Sequence, residues 1–265
     1  MDGMPAPSNP PAVPRERAVP LVQTFAAMLA HQEQALPPRP NAETLAQVMG
    51  VVVRLPGIFA AMYDESGTYR WVCARFGAEL GIDASRLIGQ RFADLFSTGW
   101  SQERLALLED SLRAGLPIPT VEIFRGRRVE SLVVPVPDAQ PRPSVIYMGR
   151  FAPVTRPHPG DPRYDAVRQL QHADWGPLAV LTQRELEVLR HISRGLENDE
   201  IAAAIHRTKR AVEWHIKHLY EYLGCRSRVE LFRYGIEAGL VAIDDAHWTR
   251  MLADRQLRGE RDEAK

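Results

Sequence analysis

The chain has 265 residues, 45% hydrophobic and 25% charged, which suits a soluble protein of about two domains with real cores. Lys plus Arg and Asp plus Glu are each 33, so the net charge is zero, which excludes a uniformly basic nucleic-acid coat but not a local basic patch. Cys73 and Cys225 are too few for a disulfide framework, no apolar run reaches the roughly 18 residues of a membrane helix, and no signal peptide opens the chain. The expected setting is the cytoplasm, with no membrane among the partners.

Residues 1–20 carry Pro5, Pro7, Pro10, Pro11, Pro14 and Pro20, a spacing that removes backbone donors and predicts a disordered leader. Leu21 to Leu36 turns helical, with Leu21, Phe25, Met28 and Leu29 near one face, until Pro37, Pro38 and Pro40 stop it. That helix within residues 1–40 reads either as packing on the next domain or as a dimer contact.

Residues 41–151 form the first domain. Asn41 is placed to cap a short helix bearing Leu45, Val48 and Met49. Ile58–Tyr63 and Tyr69–Cys73 read as strands joined by Asp64-Glu65-Ser66-Gly67. Phe76 to Gly115 is helical in character, with Leu105, Leu108 and Leu112 at helix spacing and Gly115 at a C-cap. Thr120–Phe124 and Arg128–Val136 flank Gly126 as a hairpin, and Ser144–Phe151 supplies a last strand. The order predicts a five-stranded antiparallel sheet with helices crossing one face.

Ile58-Phe59, Tyr69-Arg70-Trp71-Val72, Phe76 to Gly81, Leu87 to Gln90 and Asp94-Leu95-Phe96 together resemble the PAS sensor fold. The resemblance implies a sensory or dimerisation domain. Cys73 stands where that family often has Asn after the second strand. Phe59, Met62, Tyr63, Trp71, Phe76 and Phe92, with Leu87 and Phe96, are candidates to line an apolar ligand cavity, or are simply core. No histidine lies between His31 and His158, which argues against a histidine-ligated haem there, and Cys73 lacks the sequence context of a covalent flavin adduct. No cofactor is expected.

Residues 152–177 read as a proline-rich linker with a short helical piece at Tyr164–His172, and residues 244–265 as a charged tail. Between them, residues 178–243 read as four short helices. Thr182 and Glu185 form a capping box, three residues apart. Leu186, Leu189 and Ile192 face inward until Gly195. Asn198 to Ile205 makes a second helix of about eight residues, His206-Arg207 turn, and Thr208 caps a third. Val212, Ile216, Leu219 and Leu223 trace that helix's buried face up to Gly224. Ser227 and Glu230 suggest another capping box, for a fourth helix closed by Gly239. Charge is polarised: Leu178–Ala204 carries net −2 and Ile205–Arg233 net +4. A basic third helix with its dipole suits phosphates and the major groove, whereas the plain alternative is a solvated face.

The segments Leu181-Thr182-x-Arg184-Glu185-x-Glu187-Val188-Leu189, Gly195-x-x-Asn198-x-Glu200-Ile201-Ala202, Val212-x-x-His215-Ile216, Leu223-Gly224 and Arg228 closely resemble the LuxR-type helix-turn-helix family. The resemblance implies base and phosphate contacts from the third helix and dimerisation through the fourth. Carried over, it assigns double-stranded DNA contact to Thr208, Lys209, Arg210, Glu213, Trp214, His215, Lys217, His218 and Arg228. Ala211, Glu213 and Tyr222 depart from the family's frequent Thr, Lys and Lys, so a single module should bind weakly. Glu213 either accepts from a cytosine amine or pairs with Lys209 or Lys217, and Trp214 is suited to a thymine methyl. His206, His215, His218 and Cys225 carry metal-ligating atoms, but the resemblance accounts for this segment, and no metal is expected.

The expectation is an α+β protein: a PAS-like five-stranded sheet joined by a linker to an all-α four-helix LuxR-type helix-turn-helix domain. No catalytic motif is present, and an enzyme is not expected. The expected function is a sequence-specific, homodimeric DNA-binding transcriptional regulator whose PAS-like domain meets a signal, a small apolar ligand or a partner protein. The alternatives are a protein-interaction regulator with weak DNA affinity, or an autoinducer-like small-molecule receptor.

Overall fold

The computed structural model describes residues 48–136, 142–152 and 167–262. The proline-rich leader, the helix expected over Leu21 to Leu36 and the cap at Asn41 lie outside these residues. In chain order the elements are β1 (Ile58–Asp64), β2 (Tyr69–Val72), α1 (Ala74–Leu80), α2 (Ala84–Leu87), α3 (Thr98–Ala114), β3 (Ile118–Phe124), β4 (Arg127–Val136), β5 (Ser144–Phe151) and β6 (Arg168–Gln169). The helical half follows: α4 (Gln183–Ser193), α5 (Asn198–Ala204), α6 (Lys209–Leu223), α7 (Arg228–Glu237) and α8 (Asp245–Asp262). Among the described residues no helix is long and apolar enough to cross a membrane.

The sheet runs β2-β1-β5-β4-β3-β6. Its first five strands are antiparallel, as the sequence implies for a PAS-like domain. Strand alternation sorts the two faces. Phe59, Ala61 and Tyr63 of β1 join Tyr69, Phe76, Leu87, Phe92, Trp100, Leu107 and Phe124 under the helices. Ala60 and Met62 point the other way, to Met49, Ile146 and Met148. Cys73 takes the capping position of α1: its Sγ accepts from Phe76 N at 3.4 Å and from Ala60 N at 3.2 Å.

Two segments depart from expectation. Residues 167–177 of the supposed linker are packed, and within the expected helical piece Arg168–Gln169 form a strand: β6 pairs in parallel with β3, Thr120 opposite Arg168 and Val121 opposite Gln169. Leu170 then enters the core beneath the sheet, while Ala173 and Trp175 enter the helical core. The supposed charged tail is α8. Trp248, Met251 and Leu252 recur at helix spacing, and all three are buried in the helical core.

These segments bind the two halves together. His247 Nε2 lies 2.8 Å from the Leu170 carbonyl, Gln169 bonds Asp244 and Arg250 at 2.9 Å each, and His172 Nδ1 lies 2.7 Å from Asp254. Arg128 N donates to the Ala238 carbonyl at 2.8 Å, where Gly239 (φ 73°) closes α7. A side chain on Gly239 would put its Cβ 2.6 Å from Arg128 Cβ, so this approach requires glycine.

His247 is 2% exposed, and burial pushes its imidazole below the ordinary histidine value. The folded chain therefore forgoes a proton that the unfolded chain binds below about pH 6.5. His191 and His215 are shifted the same way by burial. Stability from these groups is complete above that pH and declines as the pH falls through and below it. Thermal unfolding from about pH 7.5 to 5.5 should show a falling melting temperature, with a shallower fall in His247→Gln. Equal slopes would remove His247 from this account.

Candidate nucleic-acid interface

The helix-turn-helix is built from local signals. Thr182 Oγ1 accepts from Glu185 N at 3.3 Å while the Glu185 carboxylate accepts from Thr182 N at 2.7 Å, so α4 opens on a complete capping box. Asn198 opens α5 after Glu197, which caps it with Glu200. His206 adopts φ 52° in the tight turn, and Thr208 Oγ1 accepts from Ala211 N at 3.2 Å to start α6. At α7 the expected box is only half formed. Ser227 Oγ accepts from Glu230 N at 3.2 Å, but the Glu230 carboxylate reaches past it to Arg226 N at 2.6 Å.

Val212, Ile216 and Leu219 bury one side of α6 against α4 and α5. Thr208, Lys209, Arg210, Glu213, Trp214 and Lys217 are all exposed, and His215 and His218 are half-buried. At about 100° per residue, Arg210, Trp214, Lys217 and Glu221 share roughly 60° of surface opposite the buried side. Lys209 Nζ meets Asp199 of α5 at 3.0 Å, so that cation is already partly countered. It does not pair with Glu213, which makes no ion pair among the described residues. His215 Nδ1 is buried without a hydrogen-bond partner among the described residues.

Arg228 stands apart from the other candidates. Its guanidinium donates to Asn198 Oδ1 at 2.7 Å and to the Leu196 carbonyl, tying α7 to the start of α5. In this arrangement it braces the motif and is not presented on the face of α6. Sequence reading also passed over Glu185 as a partner of α6. Its buried carboxylate accepts from His218 Nδ1 at 3.2 Å.

In the sheet-containing half, Tyr63, Phe76 and Phe92 line a cavity of about 20 Å³ beneath α3, roughly the room one water needs. Phe59 is core beside it. Met62 lies on the opposite face of the sheet, and half-buried Trp71 packs against the clusters of both faces, so neither lines the cavity. The walls hold unexpected polar groups. Arg104 pairs with Glu122, and Tyr147 OH donates to Glu122 Oε1 at 2.8 Å. Trp100 Nε1 and Arg104 Nε are buried there without partners among the described residues. Burial, reinforced by Glu122, holds the Tyr147 phenol well above its ordinary value.

Residues 179–234 match the family model described as bacterial regulatory proteins, luxR family. The nitrate/nitrite response regulator protein NarP of Escherichia coli K12 is 39% identical over 67 residues, 25% of this chain and 31% of that protein. The oxygen regulatory protein NreC of Staphylococcus aureus JH9 is 37% identical over 65 residues, 24% of this chain and 30% of that protein. The chain thus spans under a third of each relative's length. A solved Vibrio cholerae VqmA–ligand–DNA complex is 20% identical with a TM-score of 0.37, covering 77% of this chain and 92% of that one, a likeness too low to carry a structural argument. The match over α4 to α7, with its capping boxes and short turns in place, makes residues 179–234 a LuxR-type helix-turn-helix domain.

Proposed function

We propose that this chain is a cytoplasmic, homodimeric, sequence-specific DNA-binding transcription regulator, with α6 lying in the major groove and the PAS-like domain sensing a signal or aiding dimerisation. The carrying observation is the outward face of α6, where Arg210, Trp214 and Lys217 are exposed on a family-matched helix-turn-helix. Thr208, Lys209 and Glu213 flank that face at the helix's N-terminal end, where the dipole favours phosphate. One module with few cations binds weakly. Two held about 34 Å apart, one turn of DNA, share a site and add their binding free energies.

Binding of the full chain to genomic fragments across a salt series tests this reading, and selective binding with a steep salt dependence is the expected result. Alanine at Lys209, Arg210 and Lys217 together should weaken binding and flatten the log–log salt slope by about 2 to 3. The lower figure applies if the Lys209–Asp199 pair persists on DNA. An unchanged slope in a folded triple variant would sink the placement of α6. Flat, unselective binding by the wild type would favour a protein-interaction role, for which exposed Trp214 and Tyr222 are the evident surface.

A further inference from the structure

We infer that His218, anchored by Glu185, is a positioning residue that holds the Trp214 indole as a preset apolar reader of a thymine methyl group; this rests on the DNA-binding reading above. Trp214 is 54% exposed on the outward face of α6, between the cations Arg210 and Lys217. A large apolar ring there has no folding role, since the buried side of the helix is already complete with Val212, Ile216 and Leu219. A lone exposed indole would sample several rotamers and lose that freedom on binding. This one is held. The His218 ring, one turn on, lies 3.8 Å from it between centroids, and the His215 ring lies at 5.0 Å.

His218 is in turn fixed from a different helix. Its Nδ1 donates to Glu185 Oε1 at 3.2 Å, and Glu185 is 2% exposed, its other oxygen taken by Thr182 N and Thr182 Oγ1. Tyr222, a further turn along, meets His218 edge-on at 6.1 Å. The first helix of the motif thus sets the angle of an aromatic group on the third. Among exposed groups of a base-facing helix, an apolar flat ring recognises the one apolar feature of the major groove, the C5-methyl of thymine.

The test uses the full chain and a duplex selected by it from a random pool, with deoxyuridine replacing each thymine in turn, which deletes only the methyl. Wild type should lose about fourfold in affinity at one thymine per half-site, the value of burying one methyl carbon. Trp214→Ala should abolish that ratio, and His218→Ala should reduce it to below twofold, with both variants folded by circular dichroism. Trp214→Phe should restore an intermediate ratio. A wild-type ratio in folded His218→Ala, or selective binding by wild type with no uracil effect at any position, overturns the inference and leaves the DNA-binding reading intact. Absence of duplex binding altogether overturns both.

Discussion

Trp248→Ala should destabilise the protein by about 3–5 kcal/mol, the range for deleting a large aromatic side chain from a packed core. Trp248 is 4% exposed, meets Trp175 edge-on at 5.9 Å, and carries the Arg190 guanidinium over its ring at 4.8 Å. It also seats α8, whose other contacts depend on its position. Arg255 reaches back to the Ala179 carbonyl at 2.7 Å, and Asp245 pairs with Arg190 at 2.9 Å and Arg194 at 2.8 Å. Because His247 and Asp244 of the same turn hold the sheet-containing half, the loss should separate one cooperative unfolding transition into two. Urea unfolding of the full chain followed by far-ultraviolet circular dichroism is the measurement. A change under about 1 kcal/mol would mean that α8 contributes little to either half.

The second large effect lies under α3. Arg104→Met removes the cation facing Glu122 and leaves a carboxylate, its side chain 2% exposed, in an apolar cavity. Breaking a buried pair from one side costs about 3–5 kcal/mol, whereas replacing both members with apolar groups is often neutral. Arg104→Met should therefore be severe, and adding Glu122→Leu should recover most of the loss, less the acceptor that Tyr147 OH uses. A double-mutant cycle by urea denaturation measures the coupling. Near-wild-type stability of the single variant would show that water reaches Glu122 and screens its charge.

Much of the helix-turn-helix was legible because its signals are local. A capping box links residues three apart, a left-handed glycine ends a helix at its own position, and the stripe of Val212, Ile216 and Leu219 needs only helix period. The strands on either side of α1 to α3 were legible for the same reason. Charge misled at two places, α8 and Arg228, and at a third the residues offered no cue: Arg104 shares the buried side of α3 with Trp100, Leu107 and Leu108, which only its partner on β3 explains. In α8 the apolar triad Trp248, Met251 and Leu252 was present in the sequence, yet acidic and basic neighbours made the stretch read as a tail. Arg228 reads as a phosphate ligand, while Leu196 and Asn198 claim it. Strand β6 lies in a stretch that reads as a short helix, since two residues define no strand period.

Taken alone, the order of residues determined most of the secondary elements and caps, the LuxR-type character of the helical half and the polarity of charge, because each depends on groups a few residues apart. Tertiary structure decided what Glu185, Arg104 and Arg228 bind, which side of the sheet Met62 occupies, and that β6 and α8 pin the helical half to the sheet. Those outcomes depend on which surfaces meet after the chain has turned back on itself, and no short window of sequence contains both partners.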